Sequence, residues 1–301
     1  MKVNVNEYKN NLRKKIYIDN KNISFNPNIT RVIENFTCVN ESVNIDFETK
    51  KVLTKNDLFD LTYDFYKNFL DNELFNIFER YFKNRNENIL FLKKSKSSYD
   101  GLTDGDNNVT IIVENQYNYY TLQVLVHEFG HVIERLYNNK SDLNYKRAYS
   151  EIESIFPQFL SYMLIDDEEY KNGLYNNGFL SICNLSWLLN NKVDIYYYMK
   201  NNNIDINNKD LFFKLNNDLG CDYECLAQTY ETSFNYYLPY TIGSAYAFFL
   251  INIYIDDKDY ALKLYKDILN MHFYNERYYE KYLSNNGIYP NYSCKLFRVK
   301  K

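Results

Sequence analysis

The chain has 301 residues, 46% of them hydrophobic and 25% charged, with a formal net charge of −4 and a pI near 5.6. Gly is only 8, Pro only 4 and aromatics reach 18%, which excludes a disordered or collagen-like chain and leaves ample material for a large core. The mild acidity offers no general attraction for nucleic acid or anionic lipid, and no run approaches about 18 apolar residues, so neither nucleic-acid binding nor a membrane span is expected.

Residues 1–55 are rich in Asn and Lys and carry short β-branched runs at Ile16–Ile18, Val32–Ile33 and Val43–Phe47. They are expected to form an N-terminal segment apart from a single core over 56–301. The first residues hold no apolar stretch suited to a signal peptide. The five cysteines (Cys38, Cys183, Cys221, Cys225 and Cys294) are odd in number and scattered, which fits reduced thiols in a cytoplasmic protein.

From Asn56 the pattern turns helical. Leu58, Leu61, Phe65 and Phe69 recur at three- and four-residue steps, and Leu74, Phe75, Phe78, Tyr81 and Phe82 do so after Asp71-Asn72, predicting two amphipathic helices. Ile89–Leu92 reads as a buried strand, followed by a polar loop with Gly101 and Gly105, then a second strand at Val109–Val113. Beyond about residue 118 nearly everything is expected to be helical: 119–138, 142–165, 177–200, 208–217, 222–235, 240–254, 258–270 and 273–284. The expected fold is mainly α, with a small β-sheet beside helix 119–138.

That helix carries the chemistry. The chain has three histidines, and two of them stand in Val126-His127-Glu128-Phe129-Gly130-His131. Positions i and i+4 lie about 40° apart on a helix, so both imidazoles can reach one metal ion. Glu128 lies about 100° from His127, too far round to be a good ligand beside both, yet within reach of a water on that metal. Two ligands plus a general base form the H-E-x-x-H arrangement, and a zinc ion so held lowers the pKa of water towards about 7. A third ligand should come from a neighbouring element. The polar turn 138–142 lets the next helix run back antiparallel and bring Glu151 or Glu153 to the metal. Glu151 is preferred, because its helical face continues through Ser154, Ile155 and Gln158.

These residues resemble the zinc metallopeptidase family of oligoendopeptidase F and thimet oligopeptidase. That family carries H-E-[FL]-G-H on one helix and takes its third zinc ligand from the first Glu of an E-x-x-S segment on the next, matched here by His127–His131 and Glu151–Ser154. The resemblance implies a zincin-like helical catalytic domain over 56–301, one Zn2+ held by His127, His131 and Glu151, Glu128 as general base and oligopeptides as substrates. It further implies that Val109–Asn115 is the edge strand that pairs with substrate. It also implies that Tyr236–Ala247 is a tyrosine-rich helix start facing the zinc, with Tyr240 and Tyr246 as candidate oxyanion donors and Tyr236 and Tyr237 behind them. The chain departs from the family in three ways: family members are about twice as long, Phe234 and no His stands in the tyrosine segment, and Glu134 replaces a frequent His. Two other readings compete. An aminopeptidase of the same zinc class would need an acidic anchor for the substrate amine, with Glu114 as candidate, and a zinc-binding peptide-recognition module would have lost turnover.

Overall fold

The computed structural model of the protein describes residues 51–92, 101–104, 109–114, 116–138, 149, 151–173, 234–271 and 276–290. The chain divides into two compact units, 1–44 with 180–242 and 45–179 with 243–301. Residues 234–242 are the described part of the first unit; the remainder of the description concerns the second. The expected strands before residue 48, the helices at 177–200 and 208–217, nearly all of that at 222–235, and all five cysteines lie outside the described residues.

Helix α1, Lys55–Phe69, opens on a capping box in which the Thr54 hydroxyl accepts from the Asp57 amide at 3.1 Å and Asp57 accepts from the Thr54 amide at 2.7 Å. Helix α2, Asn72–Phe82, is capped by Asp71, whose carboxylate accepts from the Leu74 amide at 3.0 Å. Their apolar faces bury Leu58, Phe65, Phe69, Leu74 and Phe78 as the periodicity requires. A short helix α3, Arg85–Asn88, leads into strand β1, Ile89–Leu92.

The sheet has three strands, β1, β2 (Gly101–Asp104) and β3 (Thr110–Glu114), in the order β1-β3-β2. Strand β3 pairs in parallel with β1 (Ile89 opposite Ile111) and antiparallel with β2 (Thr103 opposite Ile111). This corrects two expectations. Residues 101–104 are a strand, not part of a polar loop; only Leu102 is aliphatic there, and the pairing comes from distant β3. Strand β3 is central, with both backbone edges taken, so it cannot be the edge strand that receives a peptide; β2 is an outer strand of the described sheet.

Helix α4, Tyr119–Asn138, is the long helix carrying the two histidines, and α5, Ile152–Leu164, packs on it. The two run antiparallel, because Gln123 meets Tyr162, His127 meets Gln158, and Gly130 lies against Glu153 and Ser154. The helix expected over 142–165 starts, where described, only at Ile152, with Glu151 at its N-cap position. A one-turn helix α6, Glu168–Lys171, follows. Then come α7 (Phe234–Asp256), which is continuous through Pro239 where a break was expected, α8 (Lys258–Leu269) and α9 (Glu276–Asn285). No helix among the described residues is long and apolar enough to cross a membrane.

Phe129 sets the rotation of α4. Its fully buried ring is enclosed by Tyr66 from α1 and by Phe78, Tyr81 and Phe82 from α2, with centroids 5.1–5.8 Å away. With that face fixed inwards, His127 and His131, two residues before and after it, turn towards α5. Phe129→Ala is expected to lower stability by about 3–5 kcal/mol, the usual cost of deleting a buried Phe, measured by chemical denaturation.

Candidate metal centre

Close approach of α4 and α5 creates the site, and Gly130 permits it. A Cβ at Gly130 would stand 2.6 Å from the Ser154 Cα and 2.7 Å from the Glu153 carbonyl oxygen, so any side chain there would force the helices apart. A second glycine closes the site from the other flank. A Cβ at Gly243 on α7 would lie 2.9 Å from the Glu151 carbonyl carbon and 3.0 Å from the Glu151 Cβ.

Between the helices, Glu151 Oε2 lies 3.2 Å from His127 Nε2 and 3.2 Å from His131 Nε2. The three ligand-capable atoms lie within 4.8 Å of one another, a group able to hold a metal ion. Two imidazole nitrogens and one carboxylate oxygen are a zinc donor set, and tetrahedral ligands at about 2.0–2.1 Å from zinc stand roughly 3.3–3.4 Å apart, close to the separations seen here. The residues therefore fit such an ion. Glu151 has no side-chain bond to the amides of its own helix end. Its carboxylate is instead drawn to the two histidines and takes a hydrogen bond from the Ser154 hydroxyl at 3.0 Å.

Glu128 is buried beneath strand β2 and is not a member of that three-atom group. The Thr103 hydroxyl donates to Glu128 Oε2 at 2.6 Å, a charge-assisted bond, and lies 3.1 Å from the Glu128 carbonyl oxygen. Gly101 makes room for the other carboxylate oxygen, since a Cβ there would stand 2.6 Å from Glu128 Oε1. The Arg135 guanidinium donates to the Thr103 carbonyl at 2.7 Å and ties β2 to the same helix. His127 Nδ1 faces Gln158 Oε1 at 2.8 Å.

The remaining candidates are not members of the His127–His131–Glu151 group. Glu153 is fully buried and forms, with Glu134 and His131, a second group of ligand-capable atoms. Tyr246 is buried with its ring 5.8 Å from Tyr149, which in turn packs on Tyr279 at 5.1 Å. Tyr240 is half-buried and belongs to the first unit. Glu114 is buried at the end of β3, with the Gln116 side-chain amide donating to it at 3.4 Å, which makes it a poor anchor for a substrate amine. The side chains of Phe234, Tyr236 and Tyr237 lie outside the described residues. Thr103 was not foreseen from sequence, because nothing local marks one threonine among polar residues as the partner of a carboxylate 25 positions later.

Burial alone would lower the His131 pKa, but the Glu151 charge and hydrogen bond, with help from Glu128 and Glu153, overcome it and push the group up to about 9. Burial would raise Glu151; the charge on His131 and the bonds from both histidines hold it well below the ordinary carboxylate range. Without metal the site is an imidazolium–carboxylate pair. Because the folded pKa of His131 exceeds its ordinary 6.5, that contribution to stability is full below about 6.5 and is lost as pH rises through about 9. The denaturation midpoint of metal-free protein is expected to fall across this window. Zinc affinity should rise over the same window, because the cation must displace that proton.

No family model matches the sequence, and no curated protein matches it. Solved structures do match in fold. A structure described as an oligoendopeptidase F from Bacillus anthracis aligns with a TM-score of 0.60 at 15% identity, covering 95% of this chain and 53% of that one. PZ peptidase A, solved with an inhibitor, aligns at 0.57 and 15%, covering 95% and 55%. A structure described as a peptidase from Chlamydophila abortus aligns at 0.57 and 14%, covering 94% and 50%. The chain therefore shares a mainly helical, zincin-like fold with these proteins and spans about half their length.

Proposed function

We propose that the protein is a zinc-dependent peptidase that hydrolyses peptide bonds of oligopeptides. The observation that carries this reading is the convergence of His127, His131 and Glu151 on one point, with Glu128 held on the same helix beside them. The fold shared with structures described as peptidases supports it.

His127, His131 and Glu151 would hold the zinc, which when bound supplies a Lewis acid that acidifies water and polarises a carbonyl. The chain's own part is proton management and orientation. Glu128 accepts a proton from the attacking water and returns it to the leaving amine, so it must be ionised at the start and protonated midway. Thr103 holds one Glu128 oxygen, which fixes the carboxylate without supplying it a proton. Strand β2 lies directly over Glu128, and an extended peptide adding to that strand would bring its backbone to the base. Tyr240 and Tyr246 are the proposed oxyanion donors. Phe substitution of whichever one serves is expected to lower kcat by about 10²–10³, read from steady-state cleavage of a quenched peptide.

Elemental analysis of purified protein, together with cleavage of a mixed peptide library with and without chelator, tests the proposal. Stoichiometric zinc and chelator-sensitive cleavage are expected. Zinc without any cleavage would favour the peptide-recognition module; cleavage that survives complete metal removal would sink the zinc reading.

A further inference from the structure

His127 does not stand alone between α4 and α5. Its Nδ1 lies 2.8 Å from Gln158 Oε1, the Gln158 amide nitrogen lies 3.5 Å from the Tyr162 hydroxyl, and that hydroxyl donates to Gln123 Oε1. Gln123 and Tyr162 are buried, at 4% and 1% exposure. With the two amides placed as they are, the network runs in one direction. The Tyr162 hydroxyl gives its proton to Gln123 and accepts from the Gln158 amide. Gln158 thus turns its NH2 towards Tyr162 and its carbonyl oxygen towards His127. A carbonyl oxygen only accepts, so His127 Nδ1 must carry a proton. That leaves Nε2, the nitrogen on the Glu151 side of the ring, as the one available to a metal ion.

We infer that Gln158 is a positioning residue that locks His127 in the Nδ1–H form and aims its Nε2 lone pair at the metal point. Groups that take the distal N–H of a ligating imidazole fix its tautomer and ring orientation, and their loss typically costs 10–100-fold in metal affinity. A reversed amide would present an N–H to Nδ1 and move the imidazole proton to Nε2, where it blocks the metal. Gln158 lies seven residues after Glu151, two helical turns on, so α5 supplies both one ligand and the group that orients another. An amide, unlike a carboxylate, does this without bringing a further negative charge to the site.

The inference rests on zinc binding at this site but not on peptide cleavage, and its first readout is the His127 tautomer. Histidine-ring proton–nitrogen correlation spectra of 15N-labelled protein report it directly. In zinc-loaded protein His127 should show a protonated Nδ1 shielded from solvent exchange and a metal-bound Nε2; zinc bound through Nδ1, with the proton on Nε2, would overturn the assignment. Chelator competition with zinc as probe should then give an affinity about 10–100-fold weaker for Gln158→Leu than for wild type, and recovery to at least the wild-type value for Gln158→Glu. Unchanged affinity in Gln158→Leu, or equal weakness in both variants, would reduce Gln158 to packing and overturn the role. If Gln158→Leu does not fold, the wild-type spectra still decide. A protein that binds zinc in this way yet cleaves no peptide would defeat the peptidase reading and leave this one standing.

Discussion

Glu128→Gln is expected to lower peptide hydrolysis by about 10²–10⁴ while leaving zinc stoichiometry and affinity close to wild type. The two outcomes separate because Glu128 is not part of the three-atom ligand group, whereas its carboxylate is the only acidic group on the histidine helix between the two ligands. The replacement is nearly isosteric. An amide oxygen can still accept the hydroxyl bond that Thr103 now gives at 2.6 Å, and the space left by Gly101 is unchanged, so the strand and helix keep their places. What disappears is the capacity to take up a proton at neutral pH. Zinc content by elemental analysis and kcat/KM on a quenched peptide, measured on the same preparation, check both halves. A variant that loses its zinc would make Glu128 part of the metal site's support; a variant that cleaves at the wild-type rate would remove it from the chemistry.

Much of this site could be read from residue spacing. His127 and His131 are four apart, and only a helix makes that spacing useful; the apolar residues around them supply the helix. Helices α1 and α2 were legible because their buried faces recur at helical period and their starts carry Thr54 and Asp71 as caps. Strand β2 was not, because residues 101–104 hold one aliphatic side chain and owe their extended form to pairing with β3. The central place of β3 was hidden for the same reason: a strand's neighbours depend on contacts that no local pattern encodes. Glu151, the proposed third ligand, falls between these cases. Its residue type and its distance from His131 were informative, but its position at the mouth of α5 was not. Glu151, unlike the Ser, Thr, Asp or Asn preferred at an N-cap, caps nothing; its carboxylate serves the two histidines instead. Gly130 and Gly243 gain their meaning only once the backbones they admit are in view.

Glu151→Ala is expected to have the largest effect on the metal. The carboxylate oxygen stands 3.2 Å from each ligand nitrogen and is the sole anionic member of the group, so its removal leaves two neutral imidazoles. That is fewer than the three protein ligands a catalytic zinc site uses, and affinity should fall by more than about 100-fold, beyond the range that follows from disturbing a ligand's support. The same change alters the metal-free protein in a way that identifies the cause. The Glu151 charge is the foremost influence holding His131 up at about 9 against the effect of burial. Without it the His131 pKa falls, and the fall in wild-type stability between pH 6.5 and about 9 should shrink or vanish in the variant. Denaturation midpoints of both metal-free proteins across that window, set beside zinc affinities from chelator competition, test one interaction from two sides. Wild-type zinc affinity in Glu151→Ala would place the third ligand elsewhere, with buried Glu153 as the next residue to replace.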